Sequence, residues 1–300
     1  MISIIGSGLV GSSIAFLCAS NSLDDIVLLN RTKSKALGEA LDISNAIPKN
    51  SDITIRGTDD YSEITNSDII VITASTGVYL KNRNEMIDEQ VKMIKEIGKK
   101  IKKYCPSPII LIISNPIDVL TYFFQKETNF CKNNVIGIAS SLDSSRFRYL
   151  LSKKIGVKQS QISDALVLGE HGDSMVPIFS KVKIKGKNVR EIIDSKQKED
   201  ISREIRDFWK SLRNLKSRSQ FGIAKNTYDV MESIIKNQTI SFPASILLEG
   251  EFGEKNVCMG VPIKITSEGK IEIQSIDFDE SEQKLFKLSA ETIRNTIKSV

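Results

Sequence analysis

Short apolar runs alternate with stretches of helical spacing through the first half of the chain. Residues 1–6 form an apolar run ending at Gly6, which predicts a buried strand. Residues 9–19 carry apolar side chains at helical intervals. Further strands are predicted at 26–29, 53–55, 69–72, 109–113 and 135–137. Helices are predicted at 33–46, stopped by Pro48, and at 85–104; Asn115-Pro116 breaks the run after the fifth strand. Ile69-Ile70-Val71-Ile72 is apolar at every position, as a parallel strand buried on both faces requires. This alternation implies a doubly wound parallel sheet.

The pattern changes in the second half. A helix is predicted at 144–154, with strand-like runs at 165–168 and 181–184. Helices follow at 201–215 and 223–235. Runs at 240–249 and 257–265 read as antiparallel strands joined by a glycine-containing turn, and 281–299 as a closing amphipathic helix. The expected fold is α/β: a Rossmann doubly wound parallel sheet over residues 1–140, then an α+β domain over 141–300. No linker or repeat separates them, so they should pack as one unit.

Composition narrows the partners. Apolar residues are 40% of the 300 and charged ones 26%, ordinary for a globular protein. The net charge of +5 is modest and suits an anionic small molecule. The basic stretch from Lys210 to Arg218 is interleaved with Leu212 and Leu215, so it reads as a solvated helix face rather than a nucleic-acid surface. The four cysteines, Cys18, Cys105, Cys131 and Cys258, have neither metal-ligand nor redox spacing. Reduced thiols and no metal are expected. No apolar run approaches the ~18 residues of a membrane span, and no signal peptide is visible. A cytoplasmic location is the default expectation.

Gly6-Ser7-Gly8-Leu9-Val10-Gly11 follows a predicted strand and opens a predicted helix, the setting of a dinucleotide-binding turn. Gly6 permits the tight turn, Gly8 lets backbone approach a pyrophosphate, and Gly11 lets helix and strand pack closely. An acidic residue normally ends the second strand and binds the adenine ribose of NAD. Here the chain reads Leu29-Asn30-Arg31-Thr32. Asn30 carries no charge to repel a 2′-phosphate and Arg31 can pair with one, with Thr32 or Ser34 adding a hydroxyl. The expected cofactor is NADP or NAD, leaning to NADP; the alternative is an Arg31 that points into solvent.

The single histidine, His171, lies in Gly169-Glu170-His171-Gly172-Asp173-Ser174. A lone imidazole is either an ordinary surface or core residue or the group placed for proton transfer near neutral pH. Leu142-Asp143-Ser144-Ser145-Arg146-Phe147 offers a carboxylate to orient that ring and a guanidinium to hold an anion. Asp143 also fits a helix N-cap, and Arg146 a surface arginine.

Together with Ser114-Asn115-Pro116, these motifs stand in the order seen in the lactate/malate dehydrogenase family. The chain resembles that family from end to end, through Gly38-Glu39-Ala40-Leu41-Asp42-Ile43, Gly250-Glu251-Phe252-Gly253 and Gly260-Val261-Pro262, and most of all its archaeal-type malate dehydrogenases. The resemblance implies reversible hydride transfer between a 2-hydroxy and a 2-keto acid. Malate is the leading substrate, and lactate or another 2-hydroxy acid the alternative. His171 would be the acid and base, Asp143 would hold the ring, and Arg146 would clamp the substrate carboxylate. Asn115 would contact the substrate oxygen and nicotinamide, and Arg83 on a lid would polarise the carbonyl. Thr73, Ala74 and Gln90 would join Gly6, Gly8, Leu9, Val10, Gly11, Asn30 and Arg31 around the cofactor, and Ser219 would line the substrate pocket. A homo-oligomer, tetramer or dimer, would form through the helices that follow the cofactor turn and the second strand.

The lid departs from the family pattern. Ser75-Thr76-Gly77-Val78-Tyr79-Leu80-Lys81-Asn82-Arg83 is shorter than the malate-type loop, and the arginine that reads malate's distal carboxylate falls at Gly77. Lys81 and Arg218 are two candidate replacements, while Val78, Tyr79 and Leu80 would favour an apolar 2-keto acid. Two other classes share the scaffold. An NAD-dependent glycoside hydrolase needs metal-binding Cys and His ligands, which a single histidine does not favour. A dinucleotide-binding protein without turnover is the other.

Overall fold

The computed structural model describes residues 1–76, 86–216 and 218–300. Strands and helices alternate as β1 (Ile2–Ile5), α1 (Leu9–Ser20), β2 (Ile26–Leu29), α2 (Lys33–Ser44), β3 (Ile55–Thr58), β4 (Ile69–Ile72), α3 (Ile87–Tyr104), β5 (Ile109–Ile112), α4 (Ile117–Thr128) and β6 (Val135–Gly137). The strands are parallel, and β1 lies between β2 and β4, with Ile2 in register with both Ile26 and Ile69. Every residue of β1, β2 and β4 is buried, because helices cover both faces. Chain connections leave β1 and β4 in opposite directions, so a crevice opens beyond their carboxyl ends, where such sheets bind ligands.

The second half contains α5 (Ser140–Ile155), β7 (Ile162–Ser163), β8 (Val167–Leu168), β9 (Val176–Pro177), β10 (Lys183–Ile184), β11 (Lys187–Asn188), α6 (Ser195–Leu215), α7 (Phe221–Ile235), β12 (Ile240–Glu249), β13 (Lys255–Ile265), β14 (Ile271–Ile273) and α8 (Glu280–Lys298). The β12–β13 hairpin does not form a sheet of its own. Ser245 of β12 pairs antiparallel with Gly137 of β6, extending the parallel sheet to the order β14-β13-β12-β6-β5-β4-β1-β2-β3. One apolar cluster follows this sheet. A second, around Phe147, Leu151, Phe179, Ile201 and Ile205, seats α6 against α5.

The short strands β7, β9, β11 and β14 are additions to the sequence expectations, and four larger elements differ from them. The third strand occupies Ile55–Thr58 rather than 53–55, because the backbone N–H and hydroxyl of Thr54 both bind Asp25 Oδ1, at 2.7 and 2.8 Å, just before the ladder begins. Helix α4 was not predicted; Ile117, Leu120, Thr121 and Phe124 form its buried face. Helix α5 starts at Ser140, a turn earlier than expected, with Ala139 at its N-cap. Asp143 therefore sits inside the first turn and is no cap. Helix α6 starts at Ser195, its polar first turn held by reciprocal bonds between Asp194 and Gln197. Among the described residues, no helix is long and apolar enough to cross a membrane.

Candidate active site

The glycine turn closes tightly between β1 and α1. Gly6 adopts φ +115°, its N–H bonds Leu29 O at 2.8 Å, and Thr73 Oγ1 donates to its carbonyl at 2.7 Å. A Cβ on Gly11 would lie 1.9 Å from Gly6 O, so only glycine allows this contact of helix and strand. A Cβ on Gly8, at the N-cap of α1, would meet nothing within 4 Å. Space thus opens where the first N–H groups of a helix point outward, and an anionic group such as a pyrophosphate fits it. Asn30 turns onto this cradle: its Nδ2 donates to Ser7 Oγ at 2.8 Å and its Oδ1 accepts from the Thr32 N–H at 3.0 Å. Arg31 is exposed at the rim, with Nη2 3.3 Å from Thr76 O. Leu9 is exposed beside it.

A cavity of about 320 Å³ continues from the turn. The nucleotide-binding half contributes Val10, Thr73, Ala74, Gln90, Ser114 and Asn115; the other half contributes Arg146, His171, Trp209, Leu212, Arg213, Arg218 and Ser219. Gln90 Nε2 donates to Thr76 Oγ1 at 3.0 Å, and Ser114 Oγ to Ala74 O at 2.6 Å, which ties the end of β4 to α3 and β5. The expected lid residues Arg83 and Lys81, with Gly77, Val78, Tyr79 and Leu80, lie outside the described residues.

His171 sits on the loop joining β8 to β9, and several elements fix that loop. Gly169, at φ +83°, exchanges two backbone hydrogen bonds of 2.9 Å with Gly260 of β13. The Glu170 N–H donates to Ser289 Oγ of α8 at 2.7 Å, and the Glu170 carboxylate accepts from the Ser174 hydroxyl at 2.5 Å. The His171 N–H donates to Asp118 Oδ2 at 2.8 Å, while Ser245 Oγ of β12 donates to Asp118 Oδ1 at 2.6 Å. Asp118 is buried in the first turn of α4, where the helix dipole favours a carboxylate.

Asp143 joins His171 to Arg146. Its Oδ2 lies 2.5 Å from His171 Nδ1 and its Oδ1 accepts from Arg146 Nη1 at 3.0 Å. All three side chains are buried. With Nδ1 on the Asp143 carboxylate, Nε2 is the ring nitrogen suited to proton exchange. Arg146 Nη2 also reaches Ser219 Oγ at 3.4 Å, and its Cζ stands 4.9 Å from the Phe208 ring centre. These contacts put a guanidinium suited to a carboxylate beside an oriented imidazole.

The structure thus brings His171, Asp143, Arg146, Asn115, Arg218 and Ser219 to one cavity, with the glycine turn leading into it. Sequence reasoning missed Asp118, Ser245, Trp209, Leu212 and Arg213. The last three had a readable signal, since spacing of three and four residues places them on one face of α6. The basic stretch read as a solvated face is only partly so. Lys210 pairs with Asp207, but Arg213 and Arg218 line the cavity.

Comparison with known proteins identifies the family of both halves. Residues 1–137 match the lactate/malate dehydrogenase NAD-binding domain, and residues 140–300 match the lactate/malate dehydrogenase alpha/beta C-terminal domain. A malate dehydrogenase from Pelagibacter ubique is 34% identical over 305 residues, covering 98% of this chain and 94% of the relative. An L-lactate dehydrogenase from Mycoplasma mobile is 32% identical over 303 residues, covering 99% and 95%. The crystal structure of a lactate dehydrogenase from Cryptosporidium parvum, complexed with lactic acid and nicotinamide adenine dinucleotide, superposes with a TM-score of 0.95 at 34% identity, covering 99% of this chain and 96% of that one. With both halves matched, the chain belongs to the lactate/malate dehydrogenase family.

Proposed function

We propose that this protein is an NAD(P)-dependent malate dehydrogenase that interconverts malate and oxaloacetate, with His171 as acid and base. The observation that carries this reading is the Asp143 carboxylate, bonded at once to His171 Nδ1 and Arg146 Nη1 beside the nucleotide cradle. NAD(P), when bound along the glycine turn from Gly6 to Gly11, supplies or takes up the hydride. In the reducing direction His171 Nε2 gives its proton to the oxygen on C2; in the oxidising direction it takes the hydroxyl proton. Asp143 fixes the ring and balances the positive charge the imidazolium carries. Arg146 pairs with the C1 carboxylate, and Asn115 hydrogen-bonds the reacting oxygen. Arg83, the lid arginine of the family pattern, would polarise the same carbonyl.

Preference for NADP over NAD is supported by Asn30, neutral and tied to Ser7 and Thr32, and by the exposed Arg31 beside it. Replacing Asn30→Asp together with Arg31→Ile should lower the NADP-to-NAD ratio of kcat/KM at least about tenfold. An unmoved ratio would remove this assignment. A dimer or tetramer built on α1 and α2 is supported by exposed Leu9, Phe16, Leu37 and Leu41 on these helices.

The function is tested by following reduced nicotinamide with oxaloacetate, pyruvate and bulkier apolar 2-keto acids, using NADH and NADPH. Turnover fastest with oxaloacetate is expected. Faster turnover of pyruvate or an apolar acid would replace the malate assignment with the lactate-type reading, and no turnover with any of them would leave a binding protein.

A further inference from the structure

We infer that Arg213, acting with Arg218, reads the far carboxylate of a dicarboxylic substrate from the end of α6. This inference rests on the proposed 2-hydroxy acid chemistry and names which wall of the cavity selects the substrate. The family pattern gives that task to a lid arginine, and this chain has Gly77 there.

Three observations lead to it. Trp209, Leu212 and Arg213 occupy successive positions on one face of the last turns of α6, and all three line the cavity. Arg213 Cζ stands 5.9 Å from the Trp209 ring centre, which directs the guanidinium along the face that lines the cavity. The same stretch of helix is registered to the reacting end, because Phe208 packs on the Arg146 guanidinium at 4.9 Å. The last turns of α6 therefore share one cavity with the reacting end.

Charge makes the second argument. Among the described residues that line the cavity, the permanently charged ones are Arg146, Arg213 and Arg218, and no carboxylate lines it. Asp143 stands behind Arg146 and offsets one positive charge. A dicarboxylate brings one carboxylate to Arg146 and the other to the wall that Arg213 and Arg218 line. A monocarboxylate brings an apolar group to that wall, where a guanidinium favours a carboxylate. Trp209 and Leu212 flank Arg213 and lower the local dielectric, which strengthens a carboxylate contact there relative to open water.

The test compares Arg213→Gln, Arg213→Lys, Arg218→Gln and the Gln double variant with the unaltered protein. In the Gln variants the ratio of kcat/KM for oxaloacetate to that for pyruvate should fall about 10- to 100-fold, mostly through KM for oxaloacetate. Arg213→Lys should recover part of the ratio. The double variant should lose less than the product of the single losses, because both arginines address one carboxylate. A ratio that stays put, or equal losses for both acids, would overturn the inference while leaving the dehydrogenase reading intact. Calorimetric titration of the NADH complex with malonate and with acetate separates the two readings from the other side. Selective malonate binding lost in Arg213→Gln, in a protein without turnover, would keep the arginine site and remove the proposed reaction. Malonate binding that Arg213→Gln leaves unchanged would remove the arginine site.

Discussion

His171 and Arg213 line the same cavity but are held in different ways. The His171 loop is fastened to β13 through Gly169, to α8 through Glu170, to α4 through Asp118 and to α5 through Asp143. Arg213 is half-buried near the end of a single helix, with an exposed Asn214 and Leu215 beyond it. The His171 end is over-determined by contacts among buried groups, whereas the Arg213 end depends on where one helix stops. Buried polar networks resist change because each broken bond leaves an unsatisfied partner. A half-exposed side chain can be replaced at little cost to the fold. Reaction type should therefore be hard to alter by substitution in this chain, and substrate choice easy.

The strongest way to break this comparison is Asp143→Asn. The amide no longer balances an imidazolium or pairs with Arg146, so kcat should fall on the order of 10³-fold, with the fold retained by circular dichroism. A fall below tenfold would mean that Asp143 does not orient the ring. Next comes Asp118→Ala, which leaves the His171 N–H and the Ser245 hydroxyl without their acceptor. Stopped-flow turnover should drop about 10- to 100-fold and Tm should fall by several degrees. Unchanged kcat with a lowered Tm would make Asp118 structural only. The smallest effect concerns acid stability. Asp279 caps α8, the helix that supplies Ser289 to the His171 loop. Burial pulls its carboxyl pKa upward, but the Glu282 amide, the Ser281 hydroxyl and Arg190 outweigh burial and hold it below the usual carboxylate range. A depressed folded-state pKa contributes stability above the unfolded value of about 3.9 and loses it as pH falls through the folded value. The Tm advantage of the unaltered protein over Asp279→Asn should therefore be full near neutrality and shrink below about pH 4.

Legibility from sequence followed the same division. The glycine turn and the His171 and Asp143–Arg146 motifs are local, so their spacing announces them. Asp118 carries no such mark, because its partners are 53 and 127 residues away. Helix α4 was hidden by its content: Ile-Asp-Val-Leu-Thr-Tyr-Phe-Phe is rich in β-branched and aromatic residues that suit strands as well. Arg213 was concealed because a basic stretch looks alike whether its face meets water or a cavity; only the packing of Phe208, Ile205 and Ile201 decides which side turns inward. The joining of β12 to β6 was equally silent, since it rests on the single pair Ser245–Gly137.

That pair has a wider consequence. Ser245 belongs at once to the sheet ladder and, through Asp118, to the His171 loop, and Gly260 ties the next strand to the same loop. The His171 loop is thus woven into the sheet that the two halves share. On heating or in denaturant, turnover and the sheet should therefore be lost together, in one transition.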